Sequence, residues 1–352
     1  MPDLAREFAK LRALSARVGA DPLLVQAAGG NTSVKDDGVL WIKASGTWLM
    51  QAETGSIFVP VAMAPLMDAL AGGGGAAEKA QDFVIAERNP GGLRPSIETT
   101  MHSVLPQRIV VHVHCVNTIA LAVRRDAETL LAQRLEGLNW AFVPYARPGL
   151  PLTRAIEARL RPGVDVLVLG NHGLVVAAES VEAAEPLLVD VCARLDAPAR
   201  IAPPADVVAL ERRIGGAGYV IGAGDAQGVA TDLASLGLAR QGSLYPDHVI
   251  FLGAGLVVAG KSETAADIEA RHRDAGLPPP AMIACPGEGV LMRGDASASA
   301  HAMARCLADV AARIPPGAAV NTLNEVQDAE LLNWDAEKYR QALEAGRARG
   351  GP

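Results

Sequence analysis

The apolar residues Leu4, Phe8, Leu11, Leu14 and Val18 recur at the spacing of one helical face, so the chain is expected to begin with an amphipathic helix over 3–18. After Asp21-Pro22 the pattern shortens to strand-like pieces: LLVQAA leading into GGNTSVK, then VLWIKASG and SIFVPVAM. Helices are predicted at 63–71 and 76–88, separated by a glycine tract at 72–75, with the second ending at Asn89-Pro90-Gly91-Gly92. Pro95-Ser96-Ile97-Glu98 has the form of a helix start with Ser96 as its N-cap. The β-branched run RIVVHVHC predicts a strand, followed by helices at 116–124 and 126–136 and a strand at 140–144. A helix at 152–160, the strand VDVLVLG running into Asn171-His172-Gly173, the strand LVVAA and a helix at 180–195 complete this part.

Pro198, Pro203 and Pro204 interrupt any regular pattern over 197–204, which marks that stretch as a linker. Two domains are therefore expected, 1–198 and a smaller α/β domain at 205–352, and a chain of 352 residues is long enough for two cores. In the second domain HVIFLG and VLMRG read as strands and 325–345 as a terminal helix. Half of all residues are hydrophobic but only 4% are aromatic, so Ala, Val and Leu must fill the cores.

A net charge of −7 argues against a nucleic-acid binder, whose surface must neutralise phosphates. No apolar run reaches the roughly 18 residues of a membrane span, and the N-terminal helix has no signal-peptide core. Cys115, Cys192, Cys285 and Cys306 are scattered without a CxxC pair, and reduced thiols in a cytoplasmic protein are the simplest account.

The chemistry concentrates at Val111-His112-Val113-His114. Alternate residues of a strand share a face, so His112 and His114 project together. Two such imidazoles can chelate one cation, or each can simply be hydrogen-bonded at a strand end. His172, where an apolar strand opens into a loop, is a third candidate ligand, and three histidines with an open place are the mark of a catalytic rather than a structural zinc. Glu98 could serve this centre as acid/base or as a fourth ligand, or could be a first-turn acid that complements a helix dipole. Gly29-Gly30-Asn31-Thr32-Ser33 and Ser45-Gly46-Thr47, with Lys43 as a nearby point charge, offer amides and hydroxyls to an anion, although such clusters are also ordinary turns.

The ordered blocks GGNTSVK, WIKASG, PSIETTMH, VVHVHCVNTIAL, VPYARPG and LGNHGLVV resemble the class II aldolase/adducin family over roughly residues 5–195, in particular the aldolase module of rhamnulose-phosphate aldolase-type proteins. The resemblance implies a three-layer αβα domain with a mostly antiparallel sheet. It implies a divalent metal, typically Zn²⁺, on His112, His114 and His172, with Glu98 as the acid/base and Asn31, Ser45, Gly46 and Ser96 around the substrate. It also implies retro-aldol cleavage of a ketose or ketose phosphate through a metal-stabilised enediolate, in a homo-oligomer, commonly a tetramer, that takes a small sugar or sugar phosphate as partner and neither nucleic acid nor membrane.

Two departures stand out. Ile97 cannot supply the hydroxyl found at this point in several sugar-phosphate aldolases, and no tyrosine is assigned to protonate the leaving aldehyde. Within the family, a 4-epimerase or a dehydratase would use the same centre, and an adducin-like binding protein would use none of its chemistry. In the C-terminal part, Asp247 and His248 of Tyr245-Pro246-Asp247-His248 could bind metal or substrate, or form a turn with a satisfied histidine.

Overall fold

The computed structural model describes residues 4–73 and 75–334, and the outer part of the helix expected over 325–345 lies beyond them. Two compact units are formed. One comprises the chain up to Thr118 together with Glu128–Asp196, and the other Ile119–Ala127 together with the chain from Ala197 onward.

The first unit is built on a seven-stranded sheet. Its strands are β1 (Asn31–Asp36), β2 (Val39–Lys43), β3 (Phe58–Ala62), β4 (Ile109–Val113), β5 (Trp140–Val143), β6 (Val166–Leu169) and β7 (Gly173–Ala178), in the order β3-β2-β1-β4-β7-β6-β5. Every pairing is antiparallel except β5 with β6. The sheet is thus mostly antiparallel, with β4 at its centre. All five residues of β4 and all four of β6 are buried, which is why these strands read as continuous apolar runs.

Helices cover both faces, giving three layers. On one side α1 (Leu4–Ala20) and α7 (Val181–Arg194) pack on the sheet. On the other lie α2 (Met63–Ala71), α3 (Thr99–Val104) and α6 (Leu150–Glu157). The core on that second side joins Met101 and Leu105 to Val110, Leu167, Leu169, Val175, Leu152 and Ile156. Each fully buried Leu or Ile there contributes on the order of 1.5–3 kcal/mol. Two further helices, α4 (Val116–Ala122) and α5 (Ala127–Arg134), follow β4.

Three predicted elements of this region differ. LLVQAA is turn rather than strand, and the glycine-led text after it is itself β1. The helix expected over 76–88 is three short 3-10 turns, because Val84 bridges Val61 and the Ile85 N–H donates to the Pro60 carbonyl, pulling the middle of the segment straight along the sheet edge. The helix expected from Ser96 begins only at Thr99. Ser96 N–H donates to the Lys43 carbonyl and Pro95 bridges Ala44, so the backbone stays extended there.

The second unit carries α8 (Val207–Ile214), β8 (Tyr219–Ile221), α9 (Gly228–Thr231), α10 (Leu233–Ala239), α11 (Pro246–Leu252), α12 (Ala265–Asp274), β9 (Met282–Cys285), β10 (Gly289–Arg293), α13 (Ala298–Arg313) and α14 (Glu325–Asn333). Its strands form one antiparallel sheet in the order β8-β10-β9. The segment HVIFLG, expected as a strand, belongs to helix α11, all seven residues of which are buried. A helix buried on every side shows no clear period to distinguish it from a strand. Among the described residues no helix is long and apolar enough to cross a membrane.

Candidate metal centre

The site forms where β4 meets its neighbours β1 and β7. Alternation along β4 turns Val110 and His112 to the face covered by α3 and α6, and the next same-side position is His114, just beyond the strand end. His172 sits in the tight connection between β6 and β7. Its backbone N–H donates to Leu169 O at 3.1 Å, and Asn171 takes the left-handed conformation (φ 53°) that asparagine tolerates better than most residues.

Two glycines make this crowding possible. A Cβ on Gly173 would stand 2.4 Å from the Val113 carbonyl oxygen and 3.3 Å from His112 Cε1. One on Gly30, itself at φ +58°, would stand 2.9 Å from the His112 carbonyl oxygen. The glycines of GGN and NHG thus let both neighbouring segments close on His112.

The three imidazole centroids are 5.0, 5.0 and 5.1 Å apart. Glu98 arrives from the turn preceding α3, with Oε2 3.4 Å from His112 Nε2 and Oε1 3.4 Å from His172 Nε2. All four residues are buried, and one ligand atom from each lies within 4.8 Å of the others. They are the one group of three or more His, Cys, Asp or Glu with this property among the described residues. Burial works to raise the Glu98 pKa, but His112, His172 and His114 and the hydrogen bond from Asn31 outweigh it, drawing the carboxyl down to about 2.

The donor set fits a divalent cation. His112 Nδ1 lies 3.0 Å from the Leu174 carbonyl, which can only accept, so the ring proton sits on Nδ1 and Nε2 offers its lone pair to the centre. His112 Nε2 and His114 Nε2 are 3.2 Å apart. Ligands about 2.0–2.1 Å from a tetrahedral ion stand roughly 3.3–3.4 Å from one another. The 3.2 Å between imidazoles and the two 3.4 Å carboxylate distances match such edges.

Of the other residues singled out in the sequence, Asn31 and Ser96 join this centre directly. Asn31 is the cross-strand partner of His112. Its Nδ2 donates to Glu98 Oε2 at 2.8 Å and to Ser96 Oγ at 3.2 Å. Ser96 Oγ also accepts from the Glu98 backbone N–H at 3.2 Å. Ser45 is tied to the same segment through its backbone, its N–H donating to the Arg94 carbonyl at 2.9 Å, and Gly46 follows at φ +73°. Lys43 is buried, and its ammonium donates to the carbonyls of Ala28 at 2.7 Å and Gly30 at 3.0 Å, holding the glycine loop.

One participant was missed in the sequence. His102 is fully buried on α3, with Nδ1 2.7 Å from Ser33 Oγ and Nε2 hydrogen-bonded to Asn31 Oδ1. Its signal was the four-residue interval from Glu98 within PSIETTMH, one helical turn.

The model of the Class II Aldolase and Adducin N-terminal domain family matches residues 10–192. A curated relative, the uncharacterized oxidoreductase YuxG of Bacillus subtilis (strain 168), is 29% identical over 184 residues, which are 47% of this chain and 25% of that protein. The chain therefore spans about a quarter of that relative's length. Among solved structures, the N-terminal class II aldolase domain of a conserved protein from Thermoplasma acidophilum is 25% identical at a TM-score of 0.46, covering 55% of this chain and 94% of that one. An L-fuculose-1-phosphate aldolase from Thermus thermophilus is 19% identical at a TM-score of 0.36, covering 61% and 99%.

Proposed function

The chain belongs to the class II aldolase and adducin family through residues 10–192, and on that premise we propose that it is a metal-dependent carbon–carbon lyase that cleaves a ketose or ketose phosphate by a retro-aldol reaction. The observation that carries this reading is the convergence of His112, His114, His172 and Glu98 at the spacing of ligands around one ion. A divalent cation held by the three imidazoles, zinc being the ion such a set suits well, would supply Lewis acidity toward a ketone oxygen.

The remaining chemistry falls to the protein's own groups. Glu98, ionised and buried, is the acid/base: it takes the proton of the substrate hydroxyl that becomes the aldehyde C=O as the carbon–carbon bond breaks, then delivers that proton to the carbon left by cleavage, and the same transfers run backwards in the reverse direction. Asn31 Nδ2 holds one oxygen of that carboxylate while the other faces His172. Ser45, Gly46, Ser96 and Asn31 are proposed to line the substrate's place, with Lys43 acting through the loop carbonyls it binds. Ile97 offers no hydroxyl beside Ser96, which favours a substrate that does not depend on a fully built phosphate cradle.

Metal analysis of the purified protein, followed by a cleavage screen of ketoses and ketose 1-phosphates, tests this reading. Two carbon fragments support it. An epimer or a dehydrated ketone as product would replace it with one of the sister reactions, and a protein that takes up no metal would point to an adducin-like binding role.

A further inference from the structure

The hydrogen bonds around Asn31 form one directed chain. Asn31 Oδ1 can only accept, so His102 Nε2 must carry a proton. An imidazole protonated on Nε2 leaves Nδ1 as an acceptor, which the Ser33 hydroxyl 2.7 Å away satisfies as donor. Asn31 Oδ1 is thereby occupied, and its NH₂ group is turned to Glu98 Oε2 and Ser96 Oγ. Rotating that amide by half a turn would set Oδ1 against the carboxylate, acceptor facing acceptor. The acceptor-only carboxylate on one side and the Nε2–H of His102 on the other together hold the amide in this one orientation.

We infer that His102 is a positioning residue: by fixing the amide of Asn31 it determines how Glu98 is held beside the three imidazoles. Ser33 and Asn31 lie on one face of β1, opposite Val110 and His112 of β4, while Glu98 and His102 are separated by one turn at the start of α3, their backbones joined by His102 N–H donating to Glu98 O at 3.2 Å. The relay therefore locks the strand that carries Asn31 to the helix that carries His102 at the acid/base. The inference rests on the acid/base role proposed for Glu98.

The test uses the full metal-loaded chain and two kinds of measurement. Nitrogen-15 NMR of the wild-type protein reads the tautomer of His102 without any turnover. A ring protonated on Nε2 with Nδ1 as acceptor is expected, and a proton on Nδ1, or on both nitrogens, overturns the inference. The second measurement is deuterium uptake from D₂O into dihydroxyacetone and dihydroxyacetone phosphate, probes whose C–H proton Glu98 would remove and replace. His102→Ala should slow the maximal exchange rate about 10- to 100-fold, the usual cost of losing an outer partner of a metal site. Its metal content and half-saturating probe concentration should not change. His102→Gln, which keeps a donor toward Asn31, should recover most of the loss. An Ala variant that exchanges at the wild-type rate, or a Gln variant as slow as Ala, overturns the inference. A wild-type protein that holds metal but exchanges neither probe overturns the reading of Glu98 instead. In that case the Asn31 side-chain amide signals decide the inference: shifted by His102→Ala and restored by His102→Gln they support it, and unshifted they overturn it.

Discussion

Each unit contains a buried histidine that donates to a backbone carbonyl, and the two do different things. In the first unit His112 donates from Nδ1 to Leu174 O at 3.0 Å and turns Nε2 toward two more imidazoles and a carboxylate. In the second, His248 Nε2 lies 2.9 Å from Gly255 O, and its buried Nδ1 has no hydrogen-bond partner. Ser243 Oγ accepts from the Gly255 N–H at 2.8 Å, so Gly255 (φ +69°) is gripped by both its backbone groups. His248 thus braces a loop. Burial, backbone bonding and residue type are shared by the two histidines. A centre requires in addition that several second nitrogens converge, and sequence spacing shows this only when strand alternation and a loop position both point to it.

The largest effect expected from this contrast is at His114. His114→Ala should leave the protein unable to retain metal and reduce turnover to background, whereas His248→Ala should leave metal content intact; equal metal loss in both would erase the distinction. Next is Glu98→Gln, which should keep the metal and lower turnover by about 10²–10⁴-fold, the range of a lost acid/base. A native rate in that variant would remove Glu98 from its proposed role.

Gly173→Ala sharpens the structural side of the comparison. A methyl 2.4 Å from the Val113 carbonyl must push β7 away from β4, at a cost of about 1–3 kcal/mol by chemical denaturation together with weaker metal binding. Unchanged stability would mean that the strands do not close as tightly as described.

The smallest effect concerns pH. Burial lowers the His248 pKa to about 4 from an ordinary 6.5. The unfolded chain therefore takes up a proton at 6.5 that the folded one refuses until about 4, so stability falls as pH is lowered through that window. His248→Gln should flatten the pH dependence of unfolding by about 2 kcal/mol between pH 7 and pH 5. An unchanged slope would contradict a neutral, buried His248.

The two units were unequally legible for the same reason. His112 and His114 could be read from a two-residue alternation in an apolar strand, and His172 from its place after VLVLG, because strand and turn geometry translate directly into side-chain direction. The helices 63–71 and 180–195 were visible from composition and flanking breaks, and they form as Met63–Ala71 and Val181–Arg194. His102 was hidden because its importance lies in what it does to Asn31, 71 positions away. The segment 76–88 kept its helical look in sequence while a pairing with β3 overrode it. In the second unit α11 is buried on all sides, so neither period survives to be read. Lys43 carries a cation that sequence can see, whereas the carbonyls of Ala28 and Gly30 that bind it are invisible there.

X-ray absorption on the zinc-loaded protein reads the proposed ligand set itself. One ion per chain with three imidazole nitrogens at about 2.0–2.1 Å is expected, and no stoichiometric ion in His172→Ala. A wild-type protein whose bound ion has fewer than three imidazoles, or that binds no stoichiometric ion at all, would contradict it.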